Sequence, residues 1–435
     1  MKYKYLLIII VMVIAFTGLK AQEPFPDTMT VDQVIQMVLA NHPAIKQADH
    51  LVAASQARVS QTRGSYYPDI TGQGLYNIIG PVPGIEFGGN TIDLAPRNNW
   101  DFHIGLRQNV YDFGRRPTSV ELAKSATESA SENVNLTRQN LALRTVETFY
   151  LILLLEQNVQ VLDEEIAALD QHLQAVQKKV SAGTATDFDV LTTQVRIANT
   201  QNQKIDIINA LNKQRDILGE LAGLTTGQDI EIKGDFNVSP LDINADSLIS
   251  LAYDQLPEAR LSYNREIMAE LQYRLADKGY WPILSASFEF GLKNGYPSNL
   301  NKLMANWVAG VQLQVPIFNG FMTRYNKAAA SEELSAAKEG TQSIKRQINS
   351  QVQQAIDNYD ASLQKVQTSE VQVEQAQAAV AIAKSRYDAG VITNLDLLDA
   401  QTSLAYAKLI HLQAMYGVVS SQYALNRAIG NKFWE

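Results

Sequence analysis

Apolar residues recur along this chain in two rhythms, one alternating by two and one stepping by three and four. Between 159 and 180 the apolar positions are Val159, Leu162, Ile166, Leu169, Leu173, Val176 and Val180, spaced 3, 4, 3, 4, 3, 4. Between 366 and 387 they are Val366, Val373, Ala376, Val380, Ala383 and Tyr387, with Ser369 standing where Leu162 stands in the earlier series. Spacing of this kind predicts a coiled-coil seam, because an ordinary buried helix would show a wider stripe. Proline is absent from 118–239 and from 317–435, so nothing interrupts long helices over 115–181 and 322–388. About 67 residues at ~1.5 Å each make roughly 100 Å of helix. The helices expected next, 186–222 and 393–430, cover about half that length. Helices at 31–65 and 246–279 would supply the remainder if stacked end to end with them.

The other rhythm is that of strands. Trp100, Phe102, Ile104, Leu106 and Val110 alternate with Asp101, His103, Gly105, Arg107 and Asn109. Leu284, Ala286, Phe288, Phe290 and Leu292 alternate with Ser285, Ser287, Glu289 and Gly291, and a third segment runs from Trp307 to Ile317. A weaker, Gly-rich segment spans Ile70 to Ile78. Period-two alternation over about ten residues suits a half-buried sheet or a membrane barrel strand. Aromatic placement favours the barrel. Eight aromatics fall in 66–113 and eight in 280–321, against two in 114–180, and barrels concentrate rings at the bilayer interfaces.

These elements occur twice. A shift of 207 superposes Trp100 on Trp307, Gly183 on Gly390, Thr186 on Thr393, Asp189 on Asp396, Leu218 on Leu425 and Gly223 on Gly430. Upstream the shift becomes 214, pairing Pro43 with Pro257 and Pro68 with Pro282. The chain is a tandem duplication, with a first repeat over 22–230, a linker over 231–245 and a second repeat over 246–435. The first repeat has the longer loop, 79–99, against 293–305.

Composition narrows the class. Lys2 and Lys4 precede the apolar run Leu6 to Phe16 and small residues up to Ala21, so residues 1–21 are expected to be a secretory signal. Its removal would move the net charge from −8 to −11, with 34 basic and 45 acidic residues left. An acidic exported chain gives no reason to expect nucleic acid as a partner. The absence of cysteine excludes a disulfide scaffold, a thiolate metal site and a lipid-modified cysteine. No later run reaches the ~20 apolar residues of a membrane helix, so entry into a membrane would have to use strands. Four strands cannot close a barrel, and lipid tolerates no open edge. Several copies would have to share one.

The whole plan resembles the TolC family of outer-membrane channels over nearly the full mature chain. The likeness rests on the duplication, on the strand-to-helix junctions NVYDFG at 109–114 and PIFNG at 316–320, and on two helix turns. Those turns are AGTATDFDVL at 182–191 and YDAGVITNLDLLDAQ at 387–401. The resemblance implies an α+β membrane protein in which four strands per chain build a trimeric 12-stranded outer-membrane barrel, continued by a helical coiled-coil periplasmic tunnel. It implies a homotrimer embedded in outer-membrane lipid, working with a periplasmic adaptor (membrane fusion) protein and an inner-membrane pump in efflux or type I secretion. No cofactor and no catalytic step are implied.

Site residues follow from the same likeness. Asp189, Tyr387, Asp396 and Asp399 are expected at a periplasmic gate, where carboxylates repeated by symmetry would favour cations. Gly183, Thr184, Gly390 and Val391 are expected to meet the adaptor. Trp100, Phe102, Trp281 and Trp307 are expected at the membrane interface. Ala185 and Ile392 depart from the pattern, since some members carry a basic residue there, which weighs against a charge-based latch. A second role stands beside the gate for two aspartates: Thr186 with Asp189, and Thr393 with Asp396, have the spacing of helix caps.

Catalysis has little footing. His42, His50, His103, His172 and His411 are scattered, and none has a partner at metal-ligand spacing. The sequence has neither a phosphate loop nor a Gly-x-Ser-x-Gly elbow. Outside the channel class, the alternatives are a secreted coiled-coil scaffold or an adaptor. A scaffold leaves the four aromatic strands without a use, and an adaptor has one helical hairpin set between compact β domains where this chain has two.

Overall fold

A computed structural model describes residues 28–224, 230–236, 244–297 and 299–435. The expected signal sequence lies outside the described residues, as do positions 237–243 of the expected linker. The elements in order are α1 (Val31–Asn41), α2 (Pro43–Gly64), β1 (Asp69–Ile78), β2 (Gly84–Phe87), β3 (Asn90–Asp93), β4 (Asn98–Tyr111), α3 (Arg115–Ser181) and α4 (Asp187–Ala222). The second repeat holds α5 (Ala245–Gln255), α6 (Pro257–Asp277), a 3-10 turn (Lys278–Tyr280), β5 (Ile283–Lys293), β6 (Met304–Gln314), α7 (Met322–Asp388) and α8 (Asn394–Ala428).

The helices expected over 31–65 and 246–279 are each broken in two. Proline bars the preceding residue from the helical region. His42 accordingly lies at φ −62°, ψ 128° before Pro43, and Leu256 at φ −64°, ψ 127° before Pro257. Both prolines then occupy the first turn of a new helix, where the missing N–H costs nothing. The third alternating segment is also shorter than its pattern. β6 stops at Gln314, leaving Val315, Pro316 and Ile317 outside the ladder.

The chain divides into two compact units. One comprises residues 41–144, 238–368 and 417–435, and holds all six strands. Its main sheet has the order β1-β4-β5-β6, antiparallel throughout, so β1 and β6 are its edges. A separate hairpin, β2–β3, sits within the longer loop of the first repeat. Gly88 and Gly89 at its tip have φ of 60° and 84°, as a two-residue turn matched to strand twist requires. The helical core of this unit gathers Ala252, Leu256, Ile348, Val352, Ile356, Leu425 and Ile429.

Each long helix starts from a sharp corner. Phe113 and Gly114 have φ of 53° and 86°, and Gly320 and Phe321 have φ of 67° and 64°. Two consecutive left-handed residues turn strand into helix in both repeats, and the phenylalanine costs about 1 kcal/mol at such a φ. The first corner is held from outside. Arg115 donates to the Lys278 and Trp281 carbonyls, Lys278 donates to the Phe113 carbonyl, and Arg116 pairs with Asp112 at 2.8 Å.

The second unit comprises residues 1–40, 145–237 and 369–416. Along α3, Leu162, Leu169 and Val176 are fully buried at intervals of seven, with Val159, Ile166, Leu173 and Val180 half-buried between them. The equivalent row of α7 buries Ser369 and Tyr387 and half-buries the rest. Leu169 packs with Ile197 and Leu398, and Val176 with Tyr387 and Leu397. Met29 closes this unit elsewhere through a short parallel bridge to Ile232.

Candidate functional site

Two places carry the residues singled out from the sequence: the main sheet, and the turns that follow α3 and α7.

Register decides what the sheet presents. Antiparallel partners share a face, so one face reads Tyr76–Trp100, then Gly74–Phe102–Leu292–Ala305, Gly72–Ile104–Phe290–Trp307 and Ile70–Leu106–Phe288–Ala309. It continues through Gln108–Ala286–Val311 and ends at Leu284–Leu313. Beyond Tyr76–Trp100 the same face adds Ile78–Asn98, so Gln108 and Asn98 are its amide side chains. The face is bare: Ile104 is 61 % exposed, Trp307 68 % and Val311 74 %. The opposite face carries Asp69, Arg107, Ser287, Thr71, Glu289, Gln73, His103, Asn306, Asp101 and Lys293, with Leu75, Val308 and Met304 as its large apolar members. Here side chains bond to one another. Asp101 pairs with His103 and with Lys293, and Asn306 lies 3.1 Å from the His103 ring nitrogen. An apolar face left open beside a mainly polar face whose side chains are half-covered or bonded to one another is the reverse of a sheet on a water-facing core.

The expected interface aromatics take different depths. Trp100 is one row in from the outer end, which the Ile78–Asn98 pair forms, with its ring tilted by 33° against Tyr76 at 4.2 Å between centroids. Trp281 is at the opposite end, just ahead of β5, 5.3 Å from the Phe113 ring. Phe102 is one row in from Trp100 and Trp307 two rows in. At the Trp100 end the two loops are clamped together by Asn294, a buried residue. Its carboxamide accepts from the Trp100 N–H at 2.7 Å and donates to the Asn98 carbonyl, while its own N–H donates to the Trp100 carbonyl.

At the turns, Gly183 and Gly390 both have φ of 73°. The N–H of Thr184 donates to the Lys179 carbonyl and that of Val391 to the Arg386 carbonyl, closing matched helix ends. An added Cβ would meet nothing within 4 Å at either glycine. The backbone angle alone calls for glycine there. Gly183, Thr184, Gly390 and Val391 are all exposed. Just beyond, Phe188 and Leu395 hold equivalent positions in the two repeats and are 70 % and 56 % exposed.

Of the four residues assigned to a gate, two are engaged in caps. The Asp189 carboxylate accepts from the Thr186 N–H at 2.9 Å and its hydroxyl at 2.8 Å. Asp396 accepts from the Thr393 N–H and hydroxyl at 2.8 and 2.7 Å. These bonds hold the Asp396 carboxyl below the ordinary aspartate range. Asp399 is exposed and pairs with Arg196 at 3.0 Å. Tyr387 is buried against Val176 and Leu397. Lys179 sits over its ring at 3.9 Å and donates to its carbonyl. Burial, then the charges of Asp189 and Asp388, push its phenol above the usual tyrosine range.

The structure adds residues that the sequence reading passed over. Asn394 is buried at the start of α8. It accepts from His172 on α3 at 2.6 Å and donates toward the Asp189 carbonyl and the Thr192 and Thr193 hydroxyls on α4. The His172 ring also meets the edge of Tyr387 at 5.1 Å. One polar side chain thus ties three helices beside the turns. The signal was present as departures from the repeat: His172, Asn394 and Arg196 correspond to Ala379, Asp187 and Ser403 in the other copy.

Among the described residues no group of three or more His, Cys, Asp or Glu could hold a metal ion, and no helix is long and apolar enough to cross a membrane. What the arrangement offers is surfaces, one apolar and wide, the other a pair of turns with exposed apolar tips.

Comparison with known proteins agrees with this picture. The model of a family described as outer membrane efflux protein matches residues 34–224 and 254–431. The outer membrane protein TolC of Vibrio cholerae is 23 % identical over 92 % of this chain and 90 % of its own length. The alkaline protease secretion protein AprF of Pseudomonas aeruginosa is 27 % identical over 72 % of this chain and 66 % of its own. Among solved structures, the outer membrane channel CmeC of Campylobacter jejuni superposes with a TM-score of 0.81 at 17 % identity, covering 92 % of this chain and 85 % of that one.

Proposed function

From the premise that this chain belongs to the outer membrane efflux protein family, we propose that it is one of three subunits of a passive duct through the outer membrane. The observation that carries this reading is the main sheet. Its apolar face is uncovered across four strands, and its edge strands β1 and β6 are each paired on one side only within it. Lipid accepts the face but not the edges, because an unpaired backbone group in hydrocarbon costs several kcal/mol. Three copies joined edge to edge would give twelve strands and no open edge. β1 and β6 run in opposite directions, so a junction between copies continues the antiparallel order.

Helices of the other unit support the same assembly. α4 keeps Phe188, Leu191, Val195 and Ile205 more than half exposed, and with Ala198 they step by 3, 4, 3 and 7. That is a heptad row left bare in a single chain, suited to packing on another copy. The turns at Gly183 and Gly390 would receive a periplasmic adaptor, and an inner-membrane pump would supply energy and select the cargo. Asp396 and Asp399, repeated by symmetry, would line a narrowed end and favour cations there.

The deciding experiment is the protein mass, by light scattering, of the chain extracted from outer membranes in mild detergent, followed by conductance in planar bilayers. Three chains and a stable ion current are expected. A single-chain mass, or solubility without detergent, would overturn the reading.

A further inference from the structure

Among the described residues the β2–β3 hairpin has no equivalent in the second repeat, whose loop is shorter. Pairing of Ile85 with Ile92 and of Phe87 with Asn90 puts Ile85, Ile92 and Phe87 on one face. That face is bare, at 54 %, 55 % and 77 % exposure, and Leu94 beside it is 53 % exposed. A two-stranded hairpin alone is marginal in water, so this one needs cover. The chain's own outer turn, 294–303, does not provide it. That turn is engaged at the foot of the loop, through Asn294 on Asn98 and Trp100 and through Gly295 against Pro96.

We propose that the hairpin of each copy packs over the outer turn of the neighbouring copy, forming a clasp at the mouth of the duct. This rests on the shared-barrel reading. β1 runs toward the loop that bears the hairpin, and β6 begins at the outer turn. Closing the sheet with the next copy's β6 therefore brings its first residues beside the end of β1. Those residues are Met304, the first of β6, and Leu303 just ahead of it, both apolar and 41 % and 43 % exposed. Charge matches as well. The charged residues of the hairpin are Glu86 and Asp93, and that of the turn is Lys302. All three are exposed. The clasp covers an apolar hairpin face with Leu303 and Met304, where the turn enters β6, and pairs acid with base at its margin.

The test uses the absence of cysteine from the chain. A Phe87→Cys, Leu303→Cys double variant is extracted in mild detergent, its mass is measured, and it is then oxidised. Covalent dimers and trimers that revert under dithiothreitol are expected. Cross-links confined to single chains, or none in material with the mass of three chains, would overturn the clasp while leaving the barrel standing. A single-chain mass before oxidation would instead overturn the barrel and the clasp with it. Independently, Phe87→Ser with Ile92→Ser should lower the temperature at which the three chains separate. An unchanged temperature counts against the clasp even if the cross-link forms.

Discussion

The sheet and the helical seam sort the same kinds of residue in opposite senses. Along α3, the large apolar side chains at 162, 169 and 176 are sealed from solvent, while Asp163, Glu164, Asp170, Gln171 and Gln174 between them are open. In β4 the order reverses: Trp100, Phe102 and Ile104 are exposed, while Asp101, His103 and Gly105 are half-covered. Both segments obey periodicity, so periodicity alone does not say which side faces out. What separates them is the surrounding medium. The seam is built for water, where a narrow apolar stripe must be hidden, and the sheet for a medium in which apolar surface costs nothing. The contrast can be attacked from both sides.

The largest effect belongs to the seam. Leu169 is fully buried among Ile197, Leu398 and Leu173, so Leu169→Ala should destabilise the protein by about 2–5 kcal/mol, read from denaturant unfolding. Leu191→Ala, on the bare row of α4, should change single-chain stability by no more than about 0.5 kcal/mol. It should nonetheless weaken association of the copies. Equal losses at both positions would mean that the seam is not where this unit keeps its core.

A charge on the sheet comes next. Ile104→Arg on the apolar face should cost about 2–4 kcal/mol near the bilayer midplane, measured by refolding into lipid vesicles. Gln312→Arg, on the other face, should be close to neutral by the same assay. If the two behave alike, the apolar face does not lie in lipid.

Much of this contrast was legible in the sequence because it is periodic. The heptads, the alternating strands and the repeat at 207 each involve many residues obeying one spacing, and a spacing survives without coordinates. The breaks at His42 and Leu256 were also written there, in Pro43 and Pro257, but those prolines served to set the repeat register and not to end a helix. The hairpin at 84–93 was missed because four-residue strands are too short to show alternation, although Gly88 and Gly89 marked its turn. Contacts among the gate candidates were the least legible. Whether Asp396 caps a helix or faces open space depends on one side-chain rotamer, and whether Asp399 meets Arg196 depends on how α4 packs on α8.

Loss of the buried polar tie should fall below the core effects. Asn394→Ala leaves the His172 ring N–H without its acceptor, while the Thr192 and Thr193 hydroxyls keep their bonds to the Asp189 carbonyl. The cost is about 1–3 kcal/mol, seen as a lower unfolding midpoint. Because Ala379 replaces His172 in the other repeat, Asp187→Ala at the equivalent site should be milder. Similar losses at the two positions would show that the tie is not specific to one repeat.

The caps should weigh less again. Thr186→Ala removes a side-chain cap worth about 1 kcal/mol. At the second cap the dependence on acid has a definite sign. The Asp396 carboxyl is held below its ordinary range by Thr393. Its contribution is therefore whole above the unfolded-state pKa and is lost as pH falls through the lower folded one. Asp396→Asn should flatten that part of the stability profile by lowering stability at neutral pH, where the contribution is whole, and leave the acid end nearly unchanged. A profile identical to the parent's would mean that the Thr393 bonds do not persist in solution.

The smallest effect on stability is expected at Asp399, and there it separates structure from transport. Its pair with Arg196 is exposed, with side-chain accessibilities of 63 % and 29 %, so Arg196→Ala should cost under about 1 kcal/mol and less in high salt. The same change releases the carboxylate from its partner. If Asp399 lines a constriction repeated around the duct, Arg196→Ala should raise cation selectivity in bilayer recordings at low salt, and Asp399→Asn should lower it. The two substitutions break one ion pair and predict opposite currents, which a merely structural pair cannot produce. A shift in the same direction for both, or none, would place Asp399 away from the path of ions and leave Asp396 as the carboxylate to examine there.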